Sequence, residues 1–247
     1  MRCSAPASRY GALEALSEVP IEAMGCEHVA RWLSEQGLES SPERLDLLRA
    51  FEEALYEANR STNLTRVPRD EFWLRHVVDS LLFQDLISAG AAVLDIGAGA
   101  GFPSWPLAWA RPDLSVTALD SSGKAVRFLE SVPLPNLRVE HARAEEWGVR
   151  EEFDVVTGRA LAPLSAQVEL SAAPCRIGGA ILPMRTLADR EACGSIPAQR
   201  LGLRLESVHE RELPETGAKR VFPLFRKVRP TSKRFPRQWA QIRREPL

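Results

Sequence analysis

Two aspartates set 25 residues apart, each closing an apolar run, frame the part of the chain whose residue types could do chemistry. Asp95 closes Ala91-Ala-Val-Leu and is followed by Gly97, Gly99 and Gly101. Such an apolar run reads as a buried parallel strand. Glycines after it let the backbone turn at positive φ and come close to a ligand. A helix-compatible segment follows, after Pro103 and Pro106. Strand, glycine turn and helix together present backbone N–H groups and a helix N-terminus to a polar ligand at the strand's carboxyl end. Asp120 closes Leu114-Ser-Val-Thr-Ala-Leu119. One carboxylate there can accept hydrogen bonds from both hydroxyls of a ribose. Each feature also has a plainer reading: an ordinary strand-to-helix turn for the glycines, and a helix cap for Asp120.

Two nucleotide fingerprints are excluded. G-x-G-x-x-G fails because Phe102 or Ser104 stands where the third glycine belongs, and no Gly-Lys-Ser/Thr supplies a phosphate loop. Arg143-Ala144-Glu145-Glu146 follows a short third strand, Asn136–Glu140. A backbone N–H at Ala144 and a carboxylate at Glu145 suit an adenine ring, and acids in the first turn of a helix suit the same residues. Arg159 leaves the carboxyl end of a fourth strand, Phe153–Thr157, over the cleft, and Arg185 follows a fifth, Ala180–Met184. His76 lies three and four residues before Asp79 and Ser80, so the three are neighbours on one helix surface, which by itself reads as a solvated face.

The elements that must position these residues are those of an α/β protein. The 247 residues suffice for one large domain with a small addition. No membrane span or signal-peptide layout is visible, and an intracellular, cytoplasmic location is expected. Cys3, Cys26, Cys175 and Cys193 are scattered, which suggests reduced thiols and no metal site. A loose extension over 1–26 precedes a helical lead-in over 27–88. Within that lead-in, helices are expected over 27–38, stopped by Gly37, and from Ser41-Pro42 to about Asn59. Leu45, Leu48, Phe51 and Leu55 supply the buried stripe of the second. A third helix, capped by Asp70, carries Leu74, Val77, Val78 and Leu81 on one face. The spacing places a helix near 105–110 and another opened by Ser121-Ser-Gly-Lys124. A further helix spans Leu164 to about Ala173, and Gly178-Gly179 turns into the fifth strand. Leu203–His209 and Val221–Val228 complete the sheet, with Pro223 pointing to an edge or a bulge. The net charge of −1 is uneven: from Lys219 onward ten Lys/Arg face one acid, a net +9, against −10 for the remainder. A basic tail over 229–247 fits either a polyanionic partner or a solvated tail.

Acid-x-Gly-x-Gly-x-Gly resembles the first motif of the S-adenosylmethionine-dependent methyltransferases. A longer set of motifs resembles one family: the bacterial 16S ribosomal RNA guanine-N(7) methyltransferases, or glucose-inhibited division protein B family. The set is Asn59-x-x-x-Asn63-Leu64-Thr65, Arg75-His76-x-x-Asp79-Ser80, Asp95 through Phe102-Pro103-x-x-Pro106, Leu119-Asp120-Ser121-x-Gly123-Lys124, Arg143 to Glu146, Arg159-Ala160, and Arg229-Pro-Thr-x-Lys-Arg-Phe-Pro-Arg237.

The resemblance implies a Rossmann-like class I fold, with a mostly parallel seven-stranded sheet over 89–228. It implies methyl transfer from S-adenosylmethionine to nitrogen 7 of guanine 527 of 16S ribosomal RNA, within the 30S subunit, by a monomer. Asp95, Gly97, Gly99, Gly101 and Phe102 would then shape the cofactor turn. Asp120 and Ser121 would meet the ribose, and Ala144 and Glu145 the adenine. Arg159, which would also bind the cofactor, and His76 would serve the reaction. Arg75, Lys124, Arg185, Arg229, Lys233, Arg234 and Arg237 would contact RNA.

Overall fold

The computed structural model describes residues 26–247. The extension expected over 1–26 lies outside them, except for Cys26, which opens α1 (Cys26–Glu35). The helix ends just before Gly37, as its sequence suggested. Helix α2 (Pro42–Thr62) begins after Ser41 in extended conformation with proline at its first turn, where the missing N–H costs nothing. Leu45, Leu48, Phe51 and Leu55 are buried, as their spacing requires. The helix runs past Asn59 to Thr62 and is closed by Asn63 in the left-handed conformation, φ 53°.

The next segment departs from expectation. Asp70 caps nothing; it sits in a single tight turn, Arg69–Glu71. A wide π-helical turn, Trp73–Val78, then runs into α3 (Asp79–Leu81), with the Asp79 N–H reaching back to the Leu74 carbonyl. Leu74, Val77, Val78 and Leu81 are buried, but so are Trp73, His76, Asp79 and Ser80. The solvated face expected for His76 is therefore overturned.

Seven strands form one sheet: β1 (Ala92–Ile96), β2 (Ser115–Asp120), β3 (Leu137–His141), β4 (Phe153–Arg159), β5 (Cys175–Thr186), β6 (Leu203–Glu212) and β7 (Lys219–Lys227), in the order β3-β2-β1-β4-β5-β7-β6. The first five are parallel, and β7 runs antiparallel to both its neighbours. Helices α4 (Ser104–Ala110), α5 (Gly123–Ser131) and α6 (Leu164–Ala172) make the crossovers. The order reverses between β1 and β4, which opens a crevice at their carboxyl ends.

One detail of the sheet differs from the sequence reading and another decides between its alternatives. Strand β5 starts at Cys175, not after the glycines; its pairing with β4 jumps from Phe153↔Cys175 to Val155↔Ala180, so Gly178 and Gly179 sit in a bulge. Of the two positions open to Pro223, the edge is excluded because β7 lies between β5 and β6, and the bulge is met, because the β6–β7 register slips between Leu205↔Phe225 and Ser207↔Leu224. The β5–β7 register lapses between Ile181↔Phe225 and Arg185↔Val221, and Pro183 and Pro223 both fall in that gap. A proline has no N–H for the ladder, so the two share one interruption.

One apolar layer joins α1, α2, the π turn, α4 and α5 on one side of the sheet, and a second gathers around α6 and Phe235. Phe51 of α2 stacks on Trp105 of α4 at 3.9 Å. The lead-in thus shares its core with the sheet. The residues after 228 are not a solvated tail either. Thr231, Phe235 and Ile242 are buried, and α7 (Trp239–Arg244) packs through Ile242 on α6. Arg150 donates to the carbonyls of Thr231 (2.6 Å) and Phe235 (3.0 Å). Lys227, one of the ten cations counted in the basic segment, is buried, donating to the Ala172 and Cys175 carbonyls.

Candidate functional site

The crevice at the switch point holds a cleft of about 360 Å³, within the roughly 300–1,000 Å³ usual for small-molecule sites. Its floor is the end of β1 and the glycine turn. Gly97 and Gly101 take φ of +72° and +96°, a region a side chain would strain. The Gly97 and Ala98 N–H groups donate to the Leu119 carbonyl, fastening the turn to β2. The Asp120 carboxylate completes it: Oδ2 accepts the Gly99 N–H and Oδ1 the Ser122 N–H, both at 2.7 Å. It braces the start of α5 and also lines the cleft. Ser121, Ala144 and Glu145 line the same space. Residues 144–146 form a turn and no helix starts there, which removes the helix-start reading. Ile96, Leu119, Leu161, Leu170 and Trp239 supply apolar walls.

Asp95 lies beneath this floor and is fully buried. Its Oδ2 accepts the Ser104 N–H at 3.0 Å, tying β1 to α4, while Oδ1 has no hydrogen-bond partner among the described residues. Burial pushes its pKa up to about 6. It shapes the turn from below and does not line the cleft.

A second cavity, about 470 Å³, adjoins the first; Ala160 lines both. Its wall carries Arg159, Arg185 and Arg220 with Asp79 and Asp189. Asp79 bridges two of the arginines, accepting from Arg159 at 3.2 Å and from Arg220 Nε at 2.7 Å. Arg185 donates to both Asp189 oxygens, to the Ala162 carbonyl and to Gln167, which itself donates to the Gly158 carbonyl. Every arginine of this cavity is thus held in place by a carboxylate.

Arg159 is held by the helical lead-in. Besides Asp79 it donates to the Arg75 carbonyl (2.8 Å) and to His76 Nδ1 (2.9 Å). Because arginine can only donate, His76 Nδ1 carries no proton, and the neutral ring keeps its proton on Nε2. That N–H donates to Thr65 Oγ1 at 2.7 Å. Asn59 in turn pins Thr65 by pairing with its backbone N–H (2.9 Å) and carbonyl (3.0 Å). The His76 ring lies parallel to Phe102 at 3.8 Å, and Arg159 sits 5.1 Å from the centroid of that ring. So the spaced residues Asn59, Thr65, His76 and Asp79 are one brace that orients Arg159.

Burial, aided by Arg159 and Arg75, lowers the His76 pKa from 6.5 to about 2. The unfolded histidine binds a proton below 6.5 that the folded one refuses, so this contribution to stability is present above that pH and is lost on acidification toward 2. Asp95 has the opposite sign: its raised pKa favours the fold on the acid side, and that contribution fades as pH rises through about 6. Comparison with His76→Asn isolates the first effect. The stability gap between wild type and the variant, from denaturant melts at pH 6.5 to 4.5, is expected to shrink by about 1.4 kcal/mol per pH unit. A constant gap would show that the ring is not held neutral.

The structure therefore gathers some of the expected residues and scatters others. Gly97, Asp120, Ser121, Ala144 and Glu145 share the first cleft, and Arg159 and Arg185 the second. Gly99 and Gly101 shape the turn. Phe102 is buried under His76 and among Phe51 and Phe72, away from the cleft lining. Arg75 offers its carbonyl to Arg159, while its side chain points to Glu71. His76 has no free lone pair with which to act as a base. Lys124, Lys233 and Arg234 are exposed. Arg229, also exposed, donates to the Gln199 carbonyl at 2.6 Å. Arg237 is committed to the buried Glu169. Trp239, Arg220 and Asp189 were not legible as site residues: Trp239 follows the Arg229–Arg237 motif by two residues and Asp189 follows Arg185 by four, but no spacing rule marks any of the three as facing a cleft. Among the described residues no cluster of His, Cys, Asp and Glu could hold a metal, and no helix is long and apolar enough to cross a membrane.

Residues 44–214 match the family model described as rRNA small subunit methyltransferase G. The ribosomal RNA small subunit methyltransferase G of Lactobacillus johnsonii is 34% identical over 239 residues, covering 91% of this chain and all of that protein. Its namesake in Bacillus subtilis is 32% identical over 237 residues, covering 91% and 99%. Among solved structures, M. jannaschii TYW2 in complex with AdoMet superposes with a TM-score of 0.50 at 17% identity, over 62% of this chain and 76% of that one, a likeness of fold.

Proposed function

The chain belongs to the rRNA small subunit methyltransferase G family, and from that premise we propose that it methylates nitrogen 7 of a guanine, position 527, in 16S ribosomal RNA. The observation that carries the reading is the pair of adjoining cavities meeting at Ala160. The first suits S-adenosylmethionine. Asp120 faces it with a carboxylate for the ribose diol, Glu145 offers an acceptor to the exocyclic amine of adenine, and Leu161, Leu170 and Trp239 are apolar walls for a purine. The second receives the target base.

When bound, S-adenosylmethionine supplies a methyl group on a sulfonium sulfur, open to in-line displacement by a lone pair. Nitrogen 7 of guanine has such a lone pair and no proton to lose, so the protein needs no general base. The site agrees, because the one histidine beside it has both ring nitrogens engaged. What remains for the protein is positioning, which can lower a barrier by about 7–11 kcal/mol. Arg159, held by Asp79, His76 and the Arg75 carbonyl, is the fixed donor of the second cavity, next in sequence to Ala160, which lines both. The base gains positive charge as it reacts. Asp79, paired with both Arg159 and Arg220, and Asp189, paired with Arg185, offset two of the three positive charges of the second cavity, which limits its repulsion of that change.

The exposed cations Lys124, Arg229, Lys233 and Arg234 are proposed to meet RNA phosphates, and Arg75 to lie at the rim. Arg185 and Arg237 are already spent on carboxylates inside the fold. A cytoplasmic monomer acting on RNA within the 30S subunit is the matching cellular reading. The test is transfer of labelled methyl to unmethylated 30S particles and to free 16S RNA, followed by nucleoside analysis. Label in 7-methylguanosine alone is expected; label in another nucleoside, or in none, would overturn the proposal.

A further inference from the structure

We propose that the C-terminal segment is a working part of the cofactor site, with Trp239 as a binding residue that covers the adenine. This rests on the cofactor reading of the first cleft. Trp239 is half-buried and lines that cleft on the side of Ala144 and Glu145. It packs with Ala144 and Leu161 around Leu170 and the buried Ile242. The indole thus shares one apolar patch with the residues that meet the purine. A flat aromatic face there stacks on a base without needing to match its hydrogen-bonding edge.

The segment carrying Trp239 is latched from two sides. Arg237 meets the fully buried Glu169 of α6 with three donors: its backbone N–H (2.9 Å), Nε (2.9 Å) and a terminal nitrogen (2.6 Å). Ile242 anchors the far side. Arg237 is a positioning residue in this scheme, since it touches no part of the cleft. The outer face of the same segment exposes Lys233, Arg234, Arg243 and Arg244. One stretch of chain therefore walls the cofactor on its inside and presents cations on its outside. Whatever steadies the wall strengthens cofactor binding, and by linkage bound cofactor steadies the segment.

The test is calorimetric titration of the full chain with S-adenosylmethionine. Trp239→Ala is expected to raise Kd tenfold or more. Trp239→Phe, which keeps an aromatic face, should stay within about threefold of wild type. Both should melt near the wild-type temperature without ligand. Equal affinity of Trp239→Ala and wild type overturns the inference while leaving the cofactor reading intact. Failure of wild type to bind overturns both. A second readout needs no variant: tryptic cleavage after Lys233 and Arg234 in wild type should slow at saturating cofactor. Cleavage at an unchanged rate counts against the wall.

Discussion

Replacing Asp120 with alanine is expected to weaken S-adenosylmethionine binding by about a hundredfold or more. The carboxylate stands at the carboxyl end of β2, facing the cleft, and already accepts the Gly99 and Ser122 N–H groups. Each oxygen has a further lone pair for one hydroxyl of a ribose diol. Hydrogen bonds to a charged group contribute about 1.5–3 kcal/mol each, so losing two costs about 3–6 kcal/mol, a factor of a hundred at the low end. The glycine turn also loses its brace, which adds to the effect. Asp120→Asn should be nearly as harmful, because its amide nitrogen would confront one of the two backbone N–H donors. Calorimetry on the two variants checks this, and affinity within threefold of wild type would contradict the ribose assignment.

The second large effect is on stability. Arg237→Ala is expected to destabilise the protein by about 3–5 kcal/mol, the cost of leaving a buried charge unpaired. At 2–4 °C per kcal/mol for a domain of this size, the melting temperature should fall by roughly 10 °C. Glu169, which is fully buried, would lose every donor that Arg237's side chain gives it. The double variant Glu169→Leu/Arg237→Met should recover most of the loss, since no charge is then stranded. Scanning calorimetry without RNA or cofactor decides. An arginine that served only as a phosphate contact would leave that melting temperature unchanged.

That contrast shows where sequence patterns stop being informative. The sheet was legible because its signals are local: apolar runs ending in Asp95 and Asp120, glycines at the turn, and helical stripes such as Leu45, Leu48, Phe51 and Leu55. The first cleft was legible for the same reason, since its polar residues sit at strand ends that follow one another along the chain. The second cavity was legible only in part: Arg159 and Arg185 follow strand ends, but the partners that hold them do not. Asp79 joins Arg159 from 80 residues away and Arg220 from 141 residues away, and no spacing rule records such a meeting. The basic segment was legible only as a charge count, which cannot show that Lys227 is buried on the Ala172 and Cys175 carbonyls or that Arg237 finds Glu169 at a separation of 68 residues. His76 looked solvated because a regular helical projection puts it beside Asp79 and Ser80. The π turn and the stack on Phe102 carry it inward. Pro223 signalled irregularity correctly: of the edge and the bulge it left open, the bulge stands, with the β6–β7 register slipping beside it, and a second proline, Pro183, opposite it in β5 lets an interior strand tolerate the missing donor.

The most direct measurement is nucleotide-resolution mapping of N(7)-methylguanosine in 16S ribosomal RNA from cells carrying the wild-type protein, no protein, or only the Asp120→Ala variant. Methylation at guanine 527 with wild type, and its loss in the other two strains, is the predicted result. The same methyl group present at that guanine in all three strains would contradict the account.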